Sequence, residues 1–555
     1  MAAKLPVLPG QTTDQASLFA WGCDPDLLSA DPYIGAQASI ISSVAKIVAA
    51  GADYKKVNLT LQEFFERLRT EPQRWGKPFQ ALLGALDAQL NLGAAAIGGK
   101  DSMSGTFMDK DVPPTVISFA IAPVKCGEVI SNEFKEAGHP VYLFGNADLS
   151  DYEGMKNSWE QYHALCQAGK VKASWAVDAG GIAEAVMKMS FGNDIGFVSA
   201  ADVQLSGPAY GMILAELTEE CDCATLIGHT TAEPVIVYGN ETVSIAELYD
   251  LNTSVLEKVY PTKTKETDRK IEAFKNAEAC KLAPAVKVAK PKVLIPVFPG
   301  TNCEYDSARA VMAAGGEAEI VVIRNLTAAD VARSVETVAA KIAESQMIFI
   351  PGGFSGGDEP DGSAKFITAF FRNPAIKEQV TKLLEERDGL MCGICNGFQA
   401  LIKLGLVPYG KIIDTDDTCP TLTFNTIARH QSRIVRTRIA SHKSPWLSLM
   451  NVGDIVNVPI SHGEGRFFAS EELALQLAAN GQIATQYVDL NGEPTMDAAF
   501  NPNGSLFAIE GITSPDGRVF GKMGHSERYS NGCYQNVPGN YDIRMFEAAV
   551  KYFKG

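Results

Sequence analysis

From Lys292 onward, short apolar runs and amphipathic stretches alternate in a way that few folds accept. The run KVLIPVF (Lys292 to Phe298) ends in the turn PGTNCE, and a helical pattern continues through Ala314. EIVVIR (Glu319 to Arg324) precedes a helical stretch from Ala328 to Ser345, and QMIFIP (Gln346 to Pro351) leads into the loop GGFSGGDEPDG. Helical patterns at Ala364 to Phe371 and Ile376 to Glu386 follow, then a last apolar run in GLMCGICNGFQ, Gly389 to Gln399. This alternation predicts a parallel, doubly wound sheet with ligand groups at the strand C-terminal ends. After Gly410 the pattern turns strand-rich, with runs at Arg433 to Ile439, Asp454 to Ile460, Ile483 to Val488, Leu506 to Ile512 and Arg518 to Met523.

Leu390 to Ile394 reads as a buried strand, Cys395 as a sharp turn, and Asn396 to Leu404 as a helix that starts at once. A thiol there faces backbone N–H groups and the positive end of the helix dipole, and both favour thiolate. Gly393 and Gly397 flank it where a strained turn needs small residues, the pattern of a nucleophile elbow. Such a cysteine needs a base, and the base an orienting group. His525, in MGHSERY, has Glu527 two residues on. On an extended segment both side chains share a face, so the carboxylate can hold the imidazole tautomer. The third part is PGGFSGGD, Pro351 to Asp358. Backbone N–H groups around Gly352 and Gly353, with that of Asn396, would meet the oxygen of a tetrahedral intermediate.

Two other patterns compete for attention. Cys392-Gly393-Ile394-Cys395 has CxxC spacing, but a redox pair should open a helix and Cys392 lies in the apolar strand. A zinc site needs a second close pair, and Cys221 and Cys223 fall in another domain, so no metal is expected. SHGEGRF, Ser461 to Phe467, offers His462 as a second base or as a pocket wall; the wall is preferred because no third group is evident.

The first half is organised differently. Residues 1 to 30 hold no clear amphipathic element. Helices are predicted from Ala36 to Ala50, from Leu59 to Arg69 with Thr60 as a possible N-cap, and from Pro78 to Leu90 with Pro78 at the first helical position. AAAIGGKDSMSGTF then reads as a strand entering a Gly-Gly-Lys-Asp-Ser turn, ahead of the strand Val116 to Val124. That turn, with Lys100 and Asp101, could cradle a phosphate or be an ordinary Gly-Gly turn. Further strands are expected at Pro140 to Phe144, Ala173 to Val177, Ile195 to Ser199 and Pro234 to Tyr238. In VDAGGIAEAVMKMSFGN, Asp178 precedes a helix closed by Gly192; it could meet a cation or ligand hydroxyl, or act as the N-cap. Residues 261 to 290, rich in Lys and Ala, read as a solvated helix and linker. The expected domains are therefore 1–125, 126–260, the linker 261–290 and 291–555, in line with a length of 555 residues.

Charge and cysteine usage exclude some classes. A net charge of -16 argues against a nucleic-acid binder. No stretch approaches ~18 uninterrupted apolar residues and the start has no hydrophobic signal core, so neither a membrane span nor a signal peptide is expected. Eleven irregularly spaced cysteines suit reduced thiols in the cytoplasm.

Together PGTNCE, PGGFSGGD, GICNGFQ, SHGEGRF and GHSERY resemble the glutaminase domain of the phosphoribosylformylglycinamidine synthases, class I glutamine amidotransferases of purine biosynthesis. GKDSMSGTF, RWGKPF and VDAGGIAEAV resemble the second half of the synthetase region of the large single-chain members, whose fold is that of aminoimidazole ribonucleotide synthetase. The resemblance implies an α/β chain: a truncated synthetase-like α+β domain, then an amidotransferase with a doubly wound, mostly parallel sheet. It makes Cys395 the nucleophile, His525 the base, Glu527 its partner, and Gly353 and Asn396 the oxyanion hole, with Gly352, Gln399 and His462 at the substrate. The implied reaction converts formylglycinamide ribonucleotide, glutamine, ATP and water to the amidine, glutamate, ADP and phosphate. ATP and Mg2+ would serve the full synthase reaction, with Lys100, Asp101 and Asp178 as nucleotide candidates, and the glutaminase step would need no cofactor. Ser42 and Lys46 stand where many relatives carry a metal-binding Glu and Asn, and the first synthetase-like half is missing. Any nucleotide site in this half is thus expected to be a structural pseudo-site, and a separate N-terminal synthase chain is an expected partner. Two further readings are a stand-alone cysteine hydrolase of γ-glutamyl bonds and a non-catalytic fragment that works only as a subunit.

Overall fold

The Ile-, Val- and Met-rich runs of the second half become the strands of one nine-stranded sheet. The structure, a computed structural model, describes every residue except 9, 201–202, 265–268, 356–362, 531–532 and 535–536. It divides into two units, Met1–Lys258 and Val259–Gly555. In the second, five strands run parallel in the order Glu317–Val322, Lys292–Val297, Met347–Ile350, Leu390–Ile394 and Val519–Lys522. Four antiparallel strands extend the sheet: Ile509–Thr513, Ile483–Val488, Gln431–Ile439 and Ile455–His462. Met347–Ile350 and Leu390–Ile394 are buried at every position, as strands covered on both faces must be. The doubly wound, mostly parallel architecture expected from the alternation is what the chain adopts. The strand expected from Leu506 begins at Ile509, because Leu506–Ala508 forms a short turn with Phe507 at φ +51°.

The segment ahead of this sheet is not a solvated helix. Among its described residues the chain from 269 to 290 forms no helix; Ile271 lies in the core of the second unit and Phe274 packs against it. The N–H groups of Asn276 and Cys280 bond to the carbonyls of Ala440 and His442. These two apolar anchors and the backbone pairing outweigh the helix preference of the Lys- and Ala-rich composition.

Besides a short hairpin, Thr106–Phe107 with Lys110–Asp111, the described residues of the first unit hold two larger sheets. One has five strands in the order Ala2–Lys4, Gln15–Gly22, Thr115–Lys125, Asn58–Phe64 and Ala96–Ser102. The other has seven, with Pro140–Phe144 between Thr225–Thr231 and Ile213–Leu217. Several expectations are corrected here. Residues 1 to 30 do carry elements: Gln15–Gly22 alternates inward at Ala16 and Leu18, and Pro25–Ala30 is a helix capped by Asp24. The alternation is hard to see because Phe19 and Trp21 stand at less buried positions while Ala16 and Gly22 are buried. Asn58–Phe64 is a strand rather than a helix, because neighbours on both sides pair with it. The third helix starts at Pro72, which takes the first helical position, and Pro78 lies inside it. The Gly-Gly-Lys-Asp segment is a strand, Ala96–Ser102, paired in parallel with Asn58–Phe64 and exposed along nearly its whole length.

Candidate active site

The elbow forms because three elements meet where only glycine fits. Leu390–Ile394 ends at Cys395, whose φ of +53° and ψ of -107° are strained for a side-chain-bearing residue, and Asn396–Leu404 begins at once. A Cβ on Gly397 would come within 2.0 Å of the Ile350 carbonyl oxygen, so the helix can approach the neighbouring strand only with glycine there. A backbone outlier of this kind costs about 1–3 kcal/mol. The helix offsets it by burying Phe398, Leu401, Ile402 and Leu404, each worth about 2 kcal/mol. The Cys395 N–H donates to the Lys522 carbonyl at 2.9 Å, tying the elbow to the strand that leads to His525.

Burial favours the protonated thiol. Burial pushes Cys395 up to about 12, Cys303 and Glu527 push the same way, and the Asn396 N–H and Arg528 oppose them. This runs against the expected lowering, because desolvation outweighs the helix terminus. Removal of the proton falls to a base.

His525 and Glu527 are buried together, with Nδ1 2.6 Å from Oε1. They stand not on an extended segment but at the short helical turn Ser526–Arg528, which brings residues two apart into contact. Burial would raise Glu527, but the charge and hydrogen bond of His525 hold it below the ordinary carboxylate range. With Nδ1 committed, Nε2 of His525 is the free ring nitrogen, buried and without a partner. Gly352 packs against this ring: a Cβ on it would meet His525 Cε1 at 2.6 Å. Gly353 pairs with Thr301 through bonds from Asn302 N–H to the Gly352 carbonyl and from Phe354 N–H to the Gly300 carbonyl. That leaves the N–H of Gly353 pointing away from Thr301. Asp358, of the same motif, lies outside the described residues.

The Asn396 side chain accepts from the Ser355 N–H at 3.2 Å and donates to Gln399 at 2.8 Å, and Gln399 in turn donates to the Glu464 carbonyl at 2.7 Å. Gln399 is therefore a brace between the elbow helix and the SHGEGRF loop. Ser461, beside His462, offers its carbonyl to the Cys395 thiol at 3.8 Å. His462 is buried with both ring nitrogens unpartnered, and burial followed by the nearby charges of His525 and His430 lowers it to about 3. A neutral imidazole with two free nitrogens fits a pocket wall that awaits a polar ligand.

Three residues without an assigned role in the sequence join the site. Cys303, in the turn PGTNCE, lies 3.8 Å from His525 Nδ1 and accepts from Arg528 at 3.3 Å. Its ligand atom lies within 4.8 Å of those of His525 and Glu527, a metal-like spacing, but Nδ1 is already committed to Glu527. Lys522 and Glu510, fully buried, are the other two.

The nucleotide candidates are not brought together in a comparable way. Lys100 donates to the backbone of Asp101 on the exposed strand Ala96–Ser102, with no phosphate-cradling turn. Asp178 is not the N-cap, which is Gly180; it lies 2.8 Å from Lys46 Nζ and accepts from Ser42 at 2.9 Å. Its Oδ2 is met by an ammonium and a hydroxyl and its Oδ1 by the Ala179 N–H, a donor set that suits an ion pair rather than Mg2+.

A doubly wound sheet presenting a cysteine elbow beside a buried His–Glu pair suits thiol attack on a carboxamide. A family model, the CobB/CobQ-like glutamine amidotransferase domain, matches residues 290–553. The phosphoribosylformylglycinamidine synthase subunit PurQ of Methanococcus maripaludis is 35% identical over 283 residues, covering 47% of this chain and 97% of the relative. PurQ of Acaryochloris marina is 37% identical over 235 residues, covering 42% of this chain and 86% of the relative. Among solved structures, PurLQS from Thermotoga maritima is similar at 24% identity and a TM-score of 0.35, covering 48% of this chain and 100% of that one. The chain belongs to the PurQ family of glutamine amidotransferases, enzymes with glutamine as the amido donor.

Proposed function

We propose that this chain is the ammonia-supplying part of a phosphoribosylformylglycinamidine synthase. The observation that carries the reading is the buried His525–Glu527 pair at the turn that follows Val519–Lys522, the strand paired with Leu390–Ile394 of the Cys395 elbow. In the proposed mechanism His525 Nε2 takes the Cys395 proton as sulfur attacks the glutamine carboxamide. Gly353 and Asn396 N–H groups stabilise the oxyanion, each worth about 3 kcal/mol of barrier. The imidazolium returns the proton to the departing ammonia, and water hydrolyses the glutamyl thioester to glutamate. Glu527 holds the imidazole in the required tautomer throughout. His462 and the Gln399 brace line the glutamine side of the site.

The ammonia is proposed to serve ATP-dependent amidination of formylglycinamide ribonucleotide at a synthetase site. The first unit supports a role in binding a synthetase partner. Helix Pro72–Leu92 exposes Trp75, Phe79, Leu82, Leu86 and Leu90, and the adjoining edge strand exposes Ile97. An apolar face of this kind marks a surface covered in the working assembly. In this proposal ATP and Mg2+ act on the partner's side, and the first unit is a structural pseudo-site. No helix among the described residues is long and apolar enough to cross a membrane, and all eleven cysteines are free, which favours a cytoplasmic setting. The test is glutamate release from glutamine by the full chain, alone and with a synthetase half, ATP and formylglycinamide ribonucleotide. Cys395-dependent release with amidine formation in the mixture is expected. Release that survives Cys395→Ala, or γ-glutamyl peptides hydrolysed in preference to glutamine, would overturn the reading.

A further inference from the structure

We propose that Lys522 and Glu510 are positioning residues for His525, an inference that rests on reading His525 as the base for Cys395. Neither side chain has any exposed surface, and Lys522 Nζ lies 3.2 Å from Glu510 Oε1. What the pair holds is the turn that carries the imidazole. Lys522 Nζ donates to the Gly524 carbonyl at 2.7 Å and to the Ser526 hydroxyl at 3.1 Å. Glu510 accepts the Gly524 N–H at 2.7 Å, and its second oxygen accepts the Thr485 hydroxyl. The residues before and after His525 are thus clamped by one ion pair, while the N–H of His525 itself bonds to the Pro459 carbonyl at 2.8 Å.

The same lysine fixes the nucleophile from its other end. Its backbone carbonyl accepts the Cys395 N–H at 2.9 Å, and in the sheet it stands beside Ile394. One residue therefore sets the backbone of the thiol and the turn of its base.

Stability does not account for the pair. Two charges in a dry core are seldom better for stability than apolar residues of similar volume, provided every donor and acceptor is matched when charges are kept. Here the three ammonium protons meet three acceptors, and both carboxylate oxygens are used. The pair is neutral as a whole, so its effect on His525 is one of place rather than charge. Place matters because a base must stand within hydrogen-bond reach of its proton.

The test replaces both charges in the full chain with Lys522→Met and Glu510→Leu, which keeps the core filled. The double variant is expected to fold but to melt below the parent, because the Gly524 backbone and the Ser526 and Thr485 hydroxyls lose their partners. KM for glutamine should be unchanged and kcat for glutamate release, per folded molecule, down roughly 10- to 100-fold. A second readout needs no turnover: alkylation of Cys395 by iodoacetamide in the folded protein, followed by mass spectrometry. Its rate should fall towards that of His525→Ala. If the double variant does not fold, Glu510→Gln, which keeps size and an acceptor for Gly524, should lower kcat and the alkylation rate with KM unchanged. A folded variant whose kcat and alkylation rate both match the parent's overturns the proposal, as does a kcat loss matched by an equal rise in KM. A parent that is alkylated at Cys395 but releases no glutamate overturns the glutaminase reading instead, and the alkylation rates still decide the role of the pair.

Discussion

His525 Nδ1 stands 2.6 Å from Glu527 Oε1, in a site where neither side chain is more than 1% exposed. The contact is a charge-assisted hydrogen bond in a low-dielectric pocket, and it leaves Nε2 as the only ring nitrogen able to serve Cys395. Glu527→Gln keeps the volume but admits the wrong tautomer. Glutamate release should fall about 100-fold with KM for glutamine little changed, as expected when a general base is disabled. Steady-state kinetics on the full chain checks this, and a variant as active as the parent would sink the assigned role.

The Cys395 thiol gives the chain an alkaline limit. Burial holds it protonated up to about 12, against an ordinary value of 9.0 in the unfolded chain. The folded state therefore binds this proton more tightly. That contribution to stability is complete below pH 9.0 and is lost as pH rises from there towards about 12. Cys303, pushed by burial to about 11, acts in the same direction. Melting temperature should decline through this window, and Cys395→Ala should flatten part of the decline; an equal slope in the variant would contradict the assignment.

His462 sets the corresponding acid limit. Burial, reinforced by the charges of His525 and His430, takes it from 6.5 to about 3, so the folded protein keeps it neutral while the unfolded chain protonates it. The stability it contributes is present above pH 6.5 and is lost as pH falls towards about 3. Thermal melts of His462→Asn should show a shallower acid limb than the parent. A limb of unchanged steepness would point to other groups.

The elbow was legible in the sequence because its cause is local: Gly393, Cys395 and Gly397 sit within five residues of one another, on a strand and a helix whose periods are plain. Glu527 is legible as the partner of His525 for the same reason, although the pattern predicts an extended segment where the chain makes a turn. The protonation of Cys395 was not, since it depends on how much protein surrounds the thiol rather than on its neighbours in the chain. Nothing local in the sequence marks Lys522 and Glu510, whose burial arises only when Ile509–Thr513 and Val519–Lys522 pair. In the first unit Asn58–Phe64 was misread because its strand character comes from partners on both sides.

Lys46 and Asp178 form an ion pair at 2.8 Å, so the carboxylate already has a cationic partner. Burial would raise Asp178, but Lys46, the Ala179 N–H and Ser42 hold it below its ordinary range. Both side chains are about a quarter exposed, so after solvent screening the pair is worth about 1 kcal/mol. The parent's melting temperature should be indifferent to Mg2+ or EDTA. Lys46→Ala should lose about that amount at neutral pH, and the loss should shrink as acid protonates Asp178. A rise in the parent's melting temperature with Mg2+ would show that a cation site survives there.

Gly397 tests whether the strained elbow depends on a close approach rather than on the cysteine itself. A Cβ at this position would meet the Ile350 carbonyl oxygen at 2.0 Å and the Ile350 Cβ at 3.1 Å, atoms of a buried strand that have nowhere to move. Gly397→Ala must therefore push helix Asn396–Leu404 away from the sheet, loosening the packing of Phe398 and Leu401 that offsets the Cys395 backbone strain. Overpacking of this kind costs about 3 kcal/mol. Moving the helix also displaces the Asn396 N–H from the oxyanion position, so activity should fall further than the fraction unfolded explains. Denaturant melts and glutamate release, measured on the same preparation, separate the two effects. A variant with reduced stability but full activity per folded molecule would show that the elbow tolerates a shifted helix.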